Sequence, residues 1–250
     1  MKLRLLTAGT LAASLLALPT AAEVHGSHTD EYVQQVGTYA SLIAPDYTGL
    51  GPISQVLSPT ALGLGTFDRL DGELMILGGK AYRVGTDGTP RRVAGNRTSP
   101  FVQAVPFAPD ASGPVAPGTT CGQLQRAVDD LARTTAGVVA VRVRGTFTDL
   151  VTRSVPEQSV PYAPLADVVA EQVVFPLGRQ HAVLMGFRTG PDMAGTGAPG
   201  LHLHGLTADR SAGGHVLSCV AGSDVHLSIQ VTAGTQVIAS SAAGARSRVW

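Results

Sequence analysis

Clusters of positive charge are absent from this chain. Its 250 residues include 18 Lys and Arg and 18 Asp and Glu, so the formal charge is zero at pH 7, and no basic run is interleaved with aromatic residues. Because proteins bind nucleic acids through clustered basic side chains, we predict no nucleic-acid partner. Charged residues make up only 14% of the chain and hydrophobic residues 44%. This composition excludes a disordered polar chain and predicts an ordered globular protein with a buried core.

Long apolar runs are absent beyond the first 22 residues. The sequence begins MKLRLLTAGTLAASLLALPTAA, in which Lys2 and Arg4 precede an apolar stretch from Leu5 to Leu18, and small residues follow. This three-part pattern is typical of a secretory signal peptide over residues 1–22, an uncleaved N-terminal anchor being the alternative. The mature chain is therefore expected to be exported, periplasmic or secreted. It is expected to have no membrane span and a formal charge of 16 − 18 = −2.

Cysteine is scarce, since the chain contains only Cys121 and Cys219. An oxidising compartment permits a disulfide between them, but pairing requires a short Cα separation that the sequence does not reveal. No cysteine directly follows the apolar N-terminal run, which argues against a lipoprotein anchor. The sequence also leaves the oligomeric state open, a homodimer included.

Turn-forming residues, by contrast, are plentiful, with 30 Gly and 16 Pro, and they predict many strands. The segment 62–93 has apolar runs broken by DG, GG and DG, a pattern of consecutive hairpins, and residues 101–107 alternate as a further strand. Residues 138–155 are predicted to form two strands, on which Arg142 and Arg144 share a face. These two arginines are expected to form a surface ladder or a structural ion pair, the alternative being that they face the cleft. Four antiparallel strands are predicted after residue 180.

Helical patterns are fewer. A short helix is predicted within residues 31–43, and a second helix begins at a threonine cap at 119 or 120 and ends near Gly137. The apolar side chains on one face of the second helix are Leu124, Val128 and Leu131. Together these elements predict an α+β fold.

Two β-rich subdomains are predicted, with mixed or antiparallel sheets flanked by short helices. The N-terminal subdomain covers residues 23–117, and the Pro/Gly/Ala-rich segment 108–118 is predicted to be a linker. The C-terminal subdomain covers residues 118–250 and includes the most distinctive histidine motif of the chain.

That motif is GLHLHGLTADRSAGGHVL, which holds three of the seven histidines. His202 and His204 lie two residues apart and so share one face of a strand, and a hairpin that pairs His204 with His215 would bring all three rings together. Three neutral imidazoles suit Zn²⁺ and leave a coordination position open for substrate or water. Iron or nickel is also compatible with imidazole ligands, and hydrogen-bonded histidines without an ion are the alternative.

Four blocks of the sequence resemble the α-acetolactate decarboxylase family in their order and spacing. They lie within about residues 60 to 220 and read LGLGTFDRLDGELMILGGKAYRV, TRSVPEQSVPYAPL, GFRTG and GLHLHGLTADRSAGGHVL. The resemblance implies a two-domain α/β tandem fold with a zinc ion in a cleft, and decarboxylation of (S)-2-acetolactate to (R)-acetoin. It implies that the metal ligands are His202, His204 and His215.

The resemblance also implies a role for Glu73 in the DGE motif, Arg153 in TRSV and Thr66 in GLGTF. Loss of CO₂ from a 3-oxo acid places negative charge on the ketone oxygen, which a Lewis acid stabilises. Arg153 can bind the leaving carboxylate, and Glu73 can transfer a proton or orient a zinc-bound water. Either residue is a candidate for the acid that protonates the product. Thr66 would lie near the substrate, a small 2-hydroxy-3-oxo acid. Without the resemblance, Glu73 would be interpreted as a turn residue and Arg153 as a solvated strand end.

The chain departs from the family pattern at its C-terminal end and beside the histidines. No Asp or Glu follows Asp224, although the family carries an acidic residue in its tail. Leu201 and Gly205 replace larger residues around H-x-H, which predicts a wider pocket. Two alternatives to acetolactate decarboxylation therefore remain. The protein is either an exported metal- or small-carboxylate-binding protein without turnover, or a lyase for a bulkier 2-hydroxy-3-oxo acid.

Overall fold

A computed structural model describes residues 31–238 and 246–249, and the predicted signal peptide lies outside these ranges. Within them the backbone forms the helices α1 (Tyr39–Ile43), α2 (Cys121–Ala132) and α3 (Leu165–Ala170). The strands are β1 (Tyr32–Val36), β2 (Gly51–Pro52), β3 (Ala61–Thr66), β4 (Glu73–Leu77), β5 (Lys80–Val84), β6 (Pro90–Arg92), β7 (Thr98–Ser99), β8 (Val102–Pro106), β9 (Ala111–Pro114), β10 (Val138–Ser154), β11 (Val173–Pro176), β12 (Gln180–Thr189), β13 (Gly200–Thr207), β14 (Gly213–Ala221), β15 (His226–Val231), β16 (Gly234–Ile238) and β17 (Arg246–Val249). No helix in the described part of the chain is long and apolar enough to cross a membrane.

The first large sheet has the strand order β17-β16-β1-β8-β3-β4-β5-β6. Strands β3 to β6 pair antiparallel in succession, which confirms the predicted consecutive hairpins, and β1 pairs parallel with β16. The helix predicted within 31–43 is only half correct, because its first part is β1. That segment pairs with β8 on one side and β16 on the other, and Gly37 at φ 66° separates it from α1. Long-range pairing thus overrides the local pattern.

The second large sheet has the order β12-β13-β14-β10-β15-β9, with β11 on the end of β10. Strand β10 also pairs with β12, so β10, β12, β13 and β14 form a closed circuit of pairings. The prediction of two strands within 138–155 is wrong, because β10 is one strand of 17 residues. It changes partners near Gly145, where a Cβ would lie 2.6 Å from the Asp224 carbonyl oxygen. The predicted linker 108–118 also contains a strand, β9, which pairs with β15.

Each of the two predicted subdomains, residues 23–117 and residues 118–250, contributes strands to both sheets. Strand β9 lies within residues 23–117 and joins the second sheet, whereas β16 and β17 lie within 118–250 and join the first. A shared core fills the space between the sheets, and it includes Leu64 and Met75 from the first sheet with Met185 and Phe187 from the second. The mixed sheets with short helices confirm the predicted α+β class.

Helix α2 packs against the outer face of the second sheet. Thr120 caps its N-terminus through the backbone N–H of Gln123, as predicted, whereas the helix ends at Arg133 rather than at Gly137. Leu124 and Val128 are buried in a core with Val141. A disulfide joins Cys121 at the start of α2 to Cys219 on β14, with a Cα–Cα separation of 5.1 Å.

Removing this disulfide is expected to destabilise the fold. The bond closes a loop across 98 residues of sequence, and loss of such a crosslink lowers the free energy of unfolding by about 2–5 kcal/mol. We expect the double variant Cys121→Ser/Cys219→Ser to unfold at a lower urea concentration than the wild type. A non-thiol reductant should bring the wild type to the same midpoint and leave the variant unchanged. Equal midpoints for oxidised wild type and variant would contradict the prediction.

Candidate metal centre

The three histidines of the GLHLHGLT hairpin converge in the second sheet. His204 on β13 lies directly opposite His215 on β14, which confirms the pairing on which the predicted cluster depended. His202 lies two residues before His204, and the three ring centroids are 4.8 to 5.2 Å apart. One nitrogen from each ring lies within 4.8 Å of the others. The strand pairing therefore creates a three-imidazole cluster.

Burial keeps these imidazoles neutral. Burial and, to a smaller extent, the nearby Arg153 guanidinium together lower the pKa of His202 to about 3. The pKa values of His204 and His215 are held well below their ordinary range, first by burial and then by the neighbouring histidines and Arg153. Neutral imidazole is the form that binds a metal ion, so the cluster has the protonation state that a metal site requires.

The donor geometry fits a divalent metal ion. His202 Nε2 and His215 Nδ1 are 3.1 Å apart, and tetrahedral coordination at zinc–nitrogen distances places ligand nitrogens about 3.3 Å apart. His204 Nδ1 lies 2.9 Å from the Leu74 carbonyl oxygen, to which it must donate, so its Nε2 lone pair is free to bind an ion. The set suits Zn²⁺, and the donor chemistry does not distinguish it from other divalent transition metals.

Glu73 and Arg153 form a buried ion pair beside the histidines. Arg153 on β10 lies opposite His215, and its Nη1 is 2.5 Å from Glu73 Oε1. The other carboxylate oxygen of Glu73 is 3.4 Å from His204 Nε2. Burial raises the pKa of Glu73, and Arg153 acts in the opposite direction. Glu73 is therefore not a solvated turn residue, and Arg153 is not a solvated strand end.

These groups open into a cavity of about 380 Å³ between the two sheets, within the size range of small-molecule sites. Thr66 lines the cavity, and its hydroxyl donates to the Gly72 carbonyl oxygen at 2.8 Å. Leu201 also lines it. The expectation that Gly205 widens the pocket is wrong. Gly205 does not line the cavity, and a Cβ on it would lie 2.9 Å from the side chain of Leu184.

Several cavity residues had no signal in the sequence. Part of the wall comes from helices α1 and α3, which supply Leu42, Leu165 and Val169. Helix α2 supports the cluster from behind, because Gln125 Oε1 accepts a hydrogen bond of 3.1 Å from the backbone N–H of Leu201, next to His202. These contacts join segments far apart in sequence, so neither spacing nor composition could indicate them.

The turn between β3 and β4 places Leu70 in the cavity wall and leads into Glu73. Arg69 and Leu70 both have left-handed backbone angles, with φ of 60° and 57°, which is unfavourable for residues other than glycine. Asp71 holds this turn through ion pairs with Arg83 and with Arg97, the latter at 2.7 Å. Burial tends to raise the pKa of Asp71, but these two partners outweigh burial and hold it below its ordinary value.

The ion pairs of Asp71 should make stability depend on pH. Because its folded-state pKa is lowered, its contribution is present above the unfolded value near 3.8 and is lost as pH falls through the folded value. We expect Asp71→Asn to lower the free energy of unfolding at pH 7 by about 1.5–3 kcal/mol, as is typical of hydrogen bonds to charged groups. The difference from wild type should shrink as the pH is lowered below 3.8. Urea unfolding across pH measures this difference.

Asp87→Asn is the matched control for that experiment. Asp87 pairs at 2.6 Å with Arg91, but both side chains are about half exposed, so its loss should have little effect. Equal losses in the two variants, or a difference that persists at low pH, would show that Asp71 does not act through its charge.

Comparison with known proteins gives one consistent result. A sequence model of the α-acetolactate decarboxylase family matches residues 33–243. The chain is 37% identical over 191 residues to the α-acetolactate decarboxylase of Methanosarcina mazei, which covers 76% of this chain and 66% of that protein. It is 32% identical over 190 residues to that of Klebsiella aerogenes, which covers 76% and 73%. The crystal structure of α-acetolactate decarboxylase from Bacillus subtilis strain 168 superimposes with a TM-score of 0.77 at 29% identity, covering 84% of this chain and 90% of that one. The match therefore spans about two thirds to nine tenths of these proteins' lengths.

Proposed function

The chain belongs to the α-acetolactate decarboxylase family of carboxy-lyases, and on that basis we propose that it catalyses metal-dependent decarboxylation of (S)-2-acetolactate to (R)-acetoin and CO₂. The observation that carries the proposal is the combination of three neutral imidazoles with a buried Glu73–Arg153 pair in one cavity. The histidines would bind a divalent metal ion, and Zn²⁺ is the ion that we expect. A metal ion bound there supplies a Lewis acid for the negative charge that develops on the ketone oxygen.

Arg153 is the residue placed to bind the carboxylate that leaves. Its Nη1 donates to Glu73, while its Nε is buried with no hydrogen-bond acceptor in the described part of the chain. A buried donor without a partner is unfavourable, and a substrate carboxylate would satisfy it. Holding that carboxylate fixes the C–CO₂ bond relative to the ketone plane, and this orientation decides how readily the bond breaks.

Glu73 is the residue placed to deliver the proton. Its carboxylate contacts both Arg153 and His204, and burial raises its pKa above the ordinary value although Arg153 acts in the opposite direction. A carboxyl group with a raised pKa is better suited to donate a proton than a solvated one. A single acid on one side of the cavity would protonate the product from one face, which accounts for a chiral product. The apolar walls from Leu70, Phe101 and Val155 exclude water from the reacting atoms.

The test is acetoin formation from racemic acetolactate, with and without prior chelation of the metal. Metal-dependent release of (R)-acetoin is the expected result, and re-addition of Zn²⁺ should restore it. Full activity in demonstrably metal-free protein would refute the metal dependence. Racemic acetoin would refute protonation from one face.

One alternative function is favoured by a separate feature of the sequence. No Asp or Glu follows Asp224 in this sequence, whereas the resemblance to the family implies an acidic residue in the C-terminal tail. A protein that keeps the metal and binds small carboxylates without turnover would show stoichiometric metal and no acetoin in the same assay. A lyase for a bulkier 2-hydroxy-3-oxo acid would instead prefer the larger substrate, and of the two residues that motivated this idea only Leu201 lines the cavity.

We further propose that the mature protein is exported. The leader-like N-terminal pattern supports export, and so does the Cys121–Cys219 disulfide, since such bonds persist in oxidising compartments. Expression of the full chain should yield an extracytoplasmic protein that lacks about 22 N-terminal residues, and N-terminal sequencing of the exported fraction measures this. A full-length protein retained in the cytoplasm would contradict export.

A further inference from the structure

A second cavity of about 300 Å³ lies away from the metal cluster, where the end of the β3–β4 hairpin meets β10. Its walls are mainly apolar and include Leu62, Leu77 and Phe107. It has no lining residue in common with the cavity of the histidines. Its only charged lining residue is Arg142.

Arg142 is partly buried and lacks the acidic partner that Arg153 and Arg188 have. Arg153 pairs with Glu73, and Arg188 pairs with Asp129 at 2.8 Å. Among the described residues, Arg142 makes no ion pair, and its buried Nε has no hydrogen-bond acceptor. The nearby charged group is Arg144, which is also positive, and burial together with Arg144 lowers the pKa of Arg142. Of the alternatives predicted for Arg142, the ion pair is therefore absent among the described residues, and the side chain lines a cavity other than that of the histidines.

The guanidinium is oriented by an aromatic ring. Its central carbon lies 4.9 Å from the ring centroid of Phe107, within the range of a cation–π contact. This contact leaves the buried Nε of Arg142 without a hydrogen-bond acceptor among the described residues. A carboxylate can accept two parallel hydrogen bonds in the plane of a guanidinium group, which is the geometry that arginine favours.

We propose that this cavity is a second ligand site, which binds a small monocarboxylate with a short apolar tail. The carboxylate would satisfy the guanidinium of Arg142, and the tail would be buried against Leu62 and Leu77. An inorganic anion would satisfy only the charge, and a neutral apolar molecule would satisfy only the walls. The proposal does not depend on the decarboxylase activity, because it concerns binding at a separate place.

Isovalerate is a suitable probe, and a titration followed by amide chemical shifts separates the two cavities. Saturable shifts are expected for the amides of Gly78 and Phe107 in the wild-type protein, whatever happens near the histidines. Arg142→Met should weaken this titration by about tenfold or more, since a charge-assisted pair is lost. Arg144→Met is the matched control and should leave the affinity within about twofold, because exposed charges contribute little. Isovaleramide, which lacks the charge, should not saturate these amides.

A second variant and three contrary outcomes complete the test. Leu77→Phe, which fills the cavity and leaves Arg142 in place, should also weaken isovalerate binding, so a folding defect of Arg142→Met would not leave the question open. Absence of saturable shifts in the wild type would overturn the proposal. So would an unchanged titration in Arg142→Met, or inorganic phosphate binding as tightly as isovalerate.

Discussion

His204→Ala is expected to remove both metal binding and acetoin formation. His204 is fully buried, clusters with His202 and His215, and contacts Glu73, so its loss removes one of three ligands and disturbs the proton donor. Because a Lewis acid contributes several kcal/mol to charge stabilisation, we expect kcat/KM for acetolactate to fall by about 10³-fold or more. Metal content by elemental analysis and steady-state kinetics measure the two effects.

His226→Ala is the control for that variant. His226 lies on β15, is exposed, and is not a member of the histidine cluster. It should keep the metal and the activity. If His204→Ala retained stoichiometric metal with wild-type kinetics, the cluster would not be the metal site of the reaction.

Glu73→Gln is expected to keep the metal but lose turnover. The substitution preserves the shape of the side chain and removes the carboxylate that contacts Arg153 and His204. Loss of a general acid or base typically lowers a rate by about 10²–10⁴-fold, and we expect a fall of that order in kcat. Glu157→Gln is the control, because Glu157 pairs with Arg69 on the surface and should tolerate the change.

Stability must be separated from chemistry in the Glu73 experiment. Breaking a buried ion pair from one side costs about 3–5 kcal/mol, since Arg153 is left buried and unpaired. The double variant Glu73→Gln/Arg153→Gln removes both charges and should recover part of the stability without any recovery of activity. Recovery of activity together with stability would mean that Glu73 has only a structural role. A kcat for Glu73→Gln within a few-fold of wild type would have the same meaning.

Local sequence patterns were sufficient to predict those elements whose pairing partners lie close in sequence. The β3–β6 hairpins follow from DG and GG turns between apolar runs, and α2 follows from its capping threonine and its apolar face. The pairing of His204 with His215 also follows, because only one short turn separates the two strands. Local patterns failed at β1 and at β10. β1 is a strand because β8 and β16 pair with it, and β10 stays continuous because it changes partners along its length.

By itself, the sequence determined the α+β class, the hairpin that gathers three histidines and, through its motifs, the family. The tertiary structure alone decided that Glu73 and Arg153, 80 residues apart, share a buried ion pair beside that hairpin. It also decided that Cys121 reaches Cys219, and that Arg142 faces a separate cavity. The physical reason is the separation along the sequence over which each kind of interaction acts. Periodicity and turn chemistry report on neighbours within a few residues, whereas burial and charge pairing depend on which sheet faces pack together.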